Sequence, residues 1–247
     1  MVSGITHRQP TRRLASWTIT DFVLVWLGGF VGTGVFFALG ALSDNEDWVI
    51  VLGLLGQYVG NLGVLWALRR RKEDPDLGFQ IEPKDTFYIA VGLVLQMILA
   101  LVFLPLAELL FPDGRPPQQV ADAIASSESS TLLRLSLVFA AVVLAPVTEE
   151  LIFRGVLIKA LQNRGRTFII VVTSAIFAAV HLLGLDFERV WASALLVLPP
   201  IFILGMILAW LTLKTGRLGP AIFLHSGWNL LAALVLLVPS EVLESIN

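Results

Sequence analysis

No cysteine occurs among the 247 residues, which removes disulfides, thiolate nucleophiles and cysteine-ligated metals from consideration. Charge is also scarce. Asp, Glu, Lys and Arg make up 15% of the chain, where a soluble domain carries about 25%. The basic residues are scattered over short segments between apolar runs, a pattern that suits no nucleic-acid partner. Histidine is limited to three residues. What remains is apolar: 56% of residues are hydrophobic and the mean hydropathy is +0.82. Such a composition describes an all-α, polytopic membrane helix bundle whose surroundings are the lipid bilayer.

Seven apolar runs are long enough to cross it, at about 20–42, 48–68, 86–110, 132–161, 167–185, 190–213 and 218–238. The first is too long for a cleaved signal peptide and is taken as a span. Residues 1–15 form a polar, basic tail, and the polar stretch 111–131 is expected to be a surface loop with a short helix at 117–127. Pro199 and Pro200 are expected to break the sixth span with a kink. With the N-terminus inside, the inside segments hold thirteen Lys and Arg against three outside, namely Arg115, Arg134 and Arg189. The expected topology has a cytoplasmic N-terminus and an external C-terminus, in an integral membrane protein of a bacterial plasma membrane. Two regions follow: residues 1–131, with three spans and the external loop, and residues 132–247, a membrane core that carries the polar motifs.

Those motifs sit on spans four, five and seven. Span four contains Glu149, Glu150 and Arg154 in an otherwise apolar run. Each unpaired charge at mid-bilayer costs about 2.5 to 3.5 kcal/mol, so such residues persist where they face the bundle interior and find partners. Residues four apart share a helix face, which pairs Glu150 with Arg154. Glu149 is turned about 100° away and stays available for chemistry. Pro146, three residues upstream of Glu149, is expected to bend the helix. Span five carries Phe177 and His181; span seven carries His225 and Asn229, which share a face. At 1.5 Å per residue, Glu149 lies about 15 Å, His181 about 21 Å and His225 about 13 Å from the inside ends of their spans. One shared site in one membrane layer is therefore geometrically allowed. Gln57, Asn61 and Gln96 have the blander reading of hydrogen-bond formers between helices.

Glu-Glu-x-x-x-Arg, Phe-x-x-x-His and His-x-x-x-Asn, in this order on separate helices, resemble the CPBP family of intramembrane proteases. These are type II CAAX prenyl endopeptidases and bacterial relatives, some linked to bacteriocin processing or self-immunity. The resemblance covers about residues 132–236. It implies hydrolysis of a peptide bond in a peptide or membrane-anchored protein. Glu149 would activate water with help from His181, while His225 and Asn229 would stabilise the oxyanion. Glu150 and Arg154 would hold the first helix in register, and Phe177 would pack beside the site. The family is also described as metalloproteases, and Glu149, His181 and His225 would form a Glu-plus-two-His zinc set. No His-Glu-x-x-His stretch occurs, however, and metal-free glutamate catalysis is favoured, with no cofactor. A non-catalytic immunity factor or membrane scaffold of the same family is the alternative. A proton-coupled transporter ranks lower because inverted repeats are missing.

Overall fold

A computed structural model describes residues 16–112, 130–185 and 189–237. The expected helix at 117–127, the tail 1–15 and the end of the last run at 238 lie outside the described residues. Within them the chain is a bundle of seven long helices. These are α1 (Ile19–Gly40), α2 (Glu46–Arg69), α3 (Phe87–Leu110), α4 (Thr131–Ala160), α5 (Arg166–Val180), α6 (Val190–Thr215) and α7 (Gly219–Leu237). α1 to α6 supply six segments long and apolar enough to cross a membrane, α3 and α5 doing so together with the short turns that adjoin them, as Pro83–Leu110 and Arg166–Gly184. The expected spans agree with these helices to within a few residues, because an apolar run must close its own backbone hydrogen bonds in lipid and so becomes a helix.

Two close helix pairs frame the bundle. α1 and α2 are antiparallel and meet through Gly28 and Gly32 on one side and Gly56 and Gly60 on the other. A Cβ at Gly32 would strike the Gly56 carbonyl, and one at Gly60 would strike the Gly28 carbonyl. Small residues let the backbones approach where lipid supplies no hydrophobic force between helices. α3 and α7 run in the same direction from a shared start, where Asp85 lies against Gly219. Gly92 meets the Leu224 carbonyl and Gly227 meets the Ile89 carbonyl. α4 is central and packs against α1, α2, α5, α6 and α7. The main core, which includes Phe153, Val156, Leu157, Phe177, Leu204, Leu208 and Leu224, surrounds its second half.

The polar segments that the charge bias assigns to one side are brought together at one end of the bundle. Lys72 pairs with Asp21 at 2.6 Å, and Lys159 with Asp74 at 2.7 Å. The Trp17 indole N–H donates to the Asp74 carbonyl. The Lys159 hydrogen bond holds the Asp74 carboxyl below the usual carboxylate range. The connection between α2 and α3 then crosses the end of α4, with Leu77 buried against Gly155. It bonds the start of α7 through Leu218 N–H to the Gly78 carbonyl. Arg217 grips Asp85 with two hydrogen bonds of 2.9 and 3.0 Å. At the opposite end Arg189 donates to the Leu110 carbonyl and lies over the Phe111 ring. This arrangement agrees with the alternation of sides expected for consecutive spans.

α6 is assigned as one helix through Pro199 and Pro200. In a packed bundle the carbonyls freed by proline are tolerated because neighbouring groups re-satisfy them. Around Pro146 the adjustment is a change of winding. α4 contains two π-helical stretches, Ala140–Leu144 and Glu150–Leu157, on either side of the segment Ala145–Glu149.

The α3–α7 contact yields a prediction. Gly92→Ala places a methyl group against the Leu224 carbonyl, next to His225, and overpacking of this kind costs about 1 to 3 kcal/mol. Gly34→Ala on α1, with open space around its Cβ, serves as the control. Thermal unfolding in detergent should show Gly92→Ala melting well below Gly34→Ala; equal midpoints would contradict the packing.

Candidate active site

The site is built around the turn of α4 at Glu149 and Glu150. Glu150 is wholly buried and Arg154 is 2% exposed. Arg154 Nη1 lies 3.2 Å from Glu150 Oε1, one turn apart on the same face. Its Nη2 donates to the Gly205 carbonyl of α6 at 3.3 Å, and the guanidinium sits 4.3 Å from the centroid of the Phe177 ring. A buried ion pair needs such additional partners, since desolvating each ion costs several kcal/mol.

Glu150 has a second partner. His225 Nδ1 lies 3.0 Å from the same Oε1 atom, and this imidazole is also buried. An ionised carboxylate only accepts, so the proton of this bond belongs to Nδ1 and His225 donates it. In the neutral ring Nε2 is then the unprotonated nitrogen. It faces Glu149, with Oε2 at 3.8 Å, beyond direct hydrogen-bond distance. Glu149 Oε2 has no hydrogen-bond partner, although the Glu149 side chain is 29% exposed overall. The neighbouring glutamates therefore differ. Glu150 is held through Oε1 by Arg154 and His225, although its Oε2 is also unpartnered, and Glu149 is part-exposed with no close ion-pair partner.

Phe177 explains its place before His181. The fully buried ring is in edge contact with His181 at 4.9 Å, with His225 at 5.7 Å and with Phe153 at 5.2 Å. One aromatic side chain thus spaces both imidazoles. His181 Nδ1–H donates to the Phe177 carbonyl at 2.8 Å, which leaves Nε2 with its lone pair free. His181 stands where α5 ends and a short 3₁₀ turn, His181–Gly184, begins.

Asn229 is tied to α4. Its Nδ2 donates to the Ala141 carbonyl at 2.7 Å. That carbonyl is left over for a local reason. The Ala145 N–H bonds back to Ala140, five residues earlier, and Pro146 has no N–H to offer. The amide of α7 fills the gap, so Pro146, the π-helical turn and Asn229 act as one joint. π-Helical turns inside α-helices are frequent at functional sites.

All the expected site residues thus lie around one region, but not with every expected contact. Glu150, Arg154, His225 and Phe177 touch directly, and Glu149 faces His225. The pairing of Glu150 with Arg154 matches the helix spacing. Its bond to His225, the Gly205 carbonyl and the Ala141 carbonyl were not foreseen; Pro146 was the one sequence signal that a carbonyl upstream would need a partner. Among the described residues no three His, Cys, Asp or Glu side chains are grouped closely enough to hold a metal ion. Gln57 is exposed, whereas Asn61 is buried.

Residues 131–231 match the family model for Type II CAAX prenyl endopeptidase Rce1-like proteins. This region is a CPBP-family protease domain. The CPBP domain begins with α4, ends two residues after Asn229, and contains every site residue described above. α1, α2 and α3 lie outside it. No curated protein and no solved structure matches the chain. The family is one of CAAX-type endopeptidases, and the apolar helices make the protein an integral membrane protein.

The charge network of the CPBP domain gives a second prediction. Arg154→Met strands Glu150 as a buried charge and should cost about 3 to 5 kcal/mol. Adding Glu150→Gln to it removes that charge and should recover part of the loss. Melting in detergent distinguishes the cases: a double variant no more stable than Arg154→Met would show that the pair is not what the arginine supports.

Proposed function

We propose that the protein is an intramembrane endopeptidase that hydrolyses a peptide bond with a glutamate-activated water and no metal. The observation that carries this reading is the asymmetry between the two glutamates. Glu150 is wholly buried and paired through Oε1 with Arg154 and His225, while Glu149, 29% exposed, makes no such pair and has His225 Nε2 3.8 Å from its Oε2. A carboxylate with that freedom, inside a CPBP domain, has the role of general base.

In this reaction Glu149 takes a proton from water as the water oxygen attacks the scissile carbonyl. His181, whose Nε2 is free, assists that transfer. Asn229 has a second amide N–H beyond the one given to Ala141, and it donates to the oxyanion. His225 becomes an oxyanion donor when it gains at Nε2 the proton that Glu149 has just accepted; the Glu150 carboxylate on Nδ1 favours that cation. The proton then passes to the leaving amine as the C–N bond breaks. Donors aimed at developing charge are worth more where water is scarce. Phe177 and Arg154 hold the imidazole and the carboxylate in place.

The substrate is a peptide or the end of a membrane-anchored protein, prenylated proteins being the class named by the family. The membrane is a bacterial plasma membrane. The end bearing Lys72, Lys159 and Arg217 faces the cytoplasm, which puts the N-terminus inside and the C-terminus outside.

Glu149→Ala should lower cleavage of a quenched, farnesylated CAAX peptide by at least about 100-fold, the low end of what acid–base groups contribute, with unchanged melting. Normal cleavage by the folded variant would refute the assignment. Separately, the purified wild-type protein stripped by a chelator should keep its rate. Loss of cleavage that zinc restores would establish the metal-dependent reaction instead.

A further inference from the structure

Tyr58 lies on α2, outside the CPBP domain, and no motif includes it. It is 9% exposed, and α2 packs against the Ala145–Glu149 segment of α4. Depth agrees: Tyr58 is eleven residues from Arg69, about 16 Å, and Glu149 is ten from Lys159, about 15 Å by α-helical rise. Arg69 and Lys159 mark the same end of the bundle, the first donating to the Pro75 carbonyl and the second pairing with Asp74. Glu149 is the charged group that acts electrostatically on the Tyr58 phenol. Among the described residues no group hydrogen-bonds the Tyr58 hydroxyl, and Glu149 Oε2 is likewise unpartnered. A buried phenol usually finds a partner. An unused donor and an unused acceptor therefore lie at the same depth on two helices that touch.

We propose that Tyr58 is a positioning residue of the active site, its hydroxyl donating to the oxygen of the water that Glu149 deprotonates. The inference rests on the proposed role of Glu149. The water gives one proton to Glu149, accepts one hydrogen bond from Tyr58, and keeps a lone pair for the substrate carbonyl. Two groups that fix an attacking water also fix its direction, and misplacement by about 1 Å costs about 100-fold in rate. The first three helices would then complete the catalytic site of the domain that follows them.

The chain has two tyrosines, which makes a direct test practical. With 3-fluorotyrosine incorporated into a Tyr88→Phe protein, one fluorine resonance remains and belongs to Tyr58. Glu149→Gln should move that resonance, and Glu82→Gln, at the end of the bundle, should leave it in place. A resonance that ignores Glu149→Gln would overturn the proposal, whatever the protein cleaves. On the farnesylated CAAX peptide, Tyr58→Phe should lower kcat about tenfold or more with KM within twofold, and melting should be unchanged. An unaltered kcat would also overturn it. If the wild-type protein does not cleave this peptide, the proposed function fails on this substrate, and the fluorine shift alone decides whether Tyr58 and Glu149 share a site.

Discussion

The structure depends on a buried charge cluster, Glu150 between Arg154 and His225, in a region where neither water nor lipid can solvate it. Three helices meet there because the charges must. Arg154 reaches α6 through the Gly205 carbonyl, and Glu150 reaches α7 through His225. Phe177 of α5 fills the space between the guanidinium and the two imidazoles. Removing one partner leaves an uncompensated charge in low dielectric, a penalty of about 3 to 5 kcal/mol. The cluster is therefore a locator: it holds α4, α6 and α7 in one arrangement.

A second constraint works along α4. Pro146 takes one donor out of a helix that has no water to replace it, and the helix rewinds into π-helical turns around it. The carbonyl left over at Ala141 captures the Asn229 amide. The same accounting that keeps the backbone satisfied in a membrane thus fixes the Asn229 side chain. Glycines do comparable work between helices. At Gly92 and Gly227 the absence of a Cβ lets α3 lie against the backbone of α7 on both sides of His225.

Much of this was legible in the sequence, and the reasons are physical. Helix positions follow from apolar runs, since lipid leaves the backbone no other choice. Glu150 and Arg154 pair because residues four apart share a face whatever surrounds them. The depth estimate for Glu149, His181 and His225 needed only the helical rise. What could not be read off depends on rotation and partner choice between helices. His225 looked like a free donor, yet its Nδ1 proton is committed to Glu150. Asn229 looked free too, and one of its N–H groups belongs to Ala141. Tyr58 carried no signal, because a single tyrosine in an apolar span marks no face until its neighbour across the bundle is known.

The central claim is a division of labour between adjacent glutamates, one for chemistry and one for structure. The most direct measurement compares Glu149→Gln and Glu150→Gln on the same purified samples, recording cleavage rate and melting temperature together. The account predicts that Glu149→Gln loses the rate and keeps the melting temperature, while Glu150→Gln lowers the melting temperature. The reverse pattern, or equal effects of both substitutions on both quantities, would contradict it.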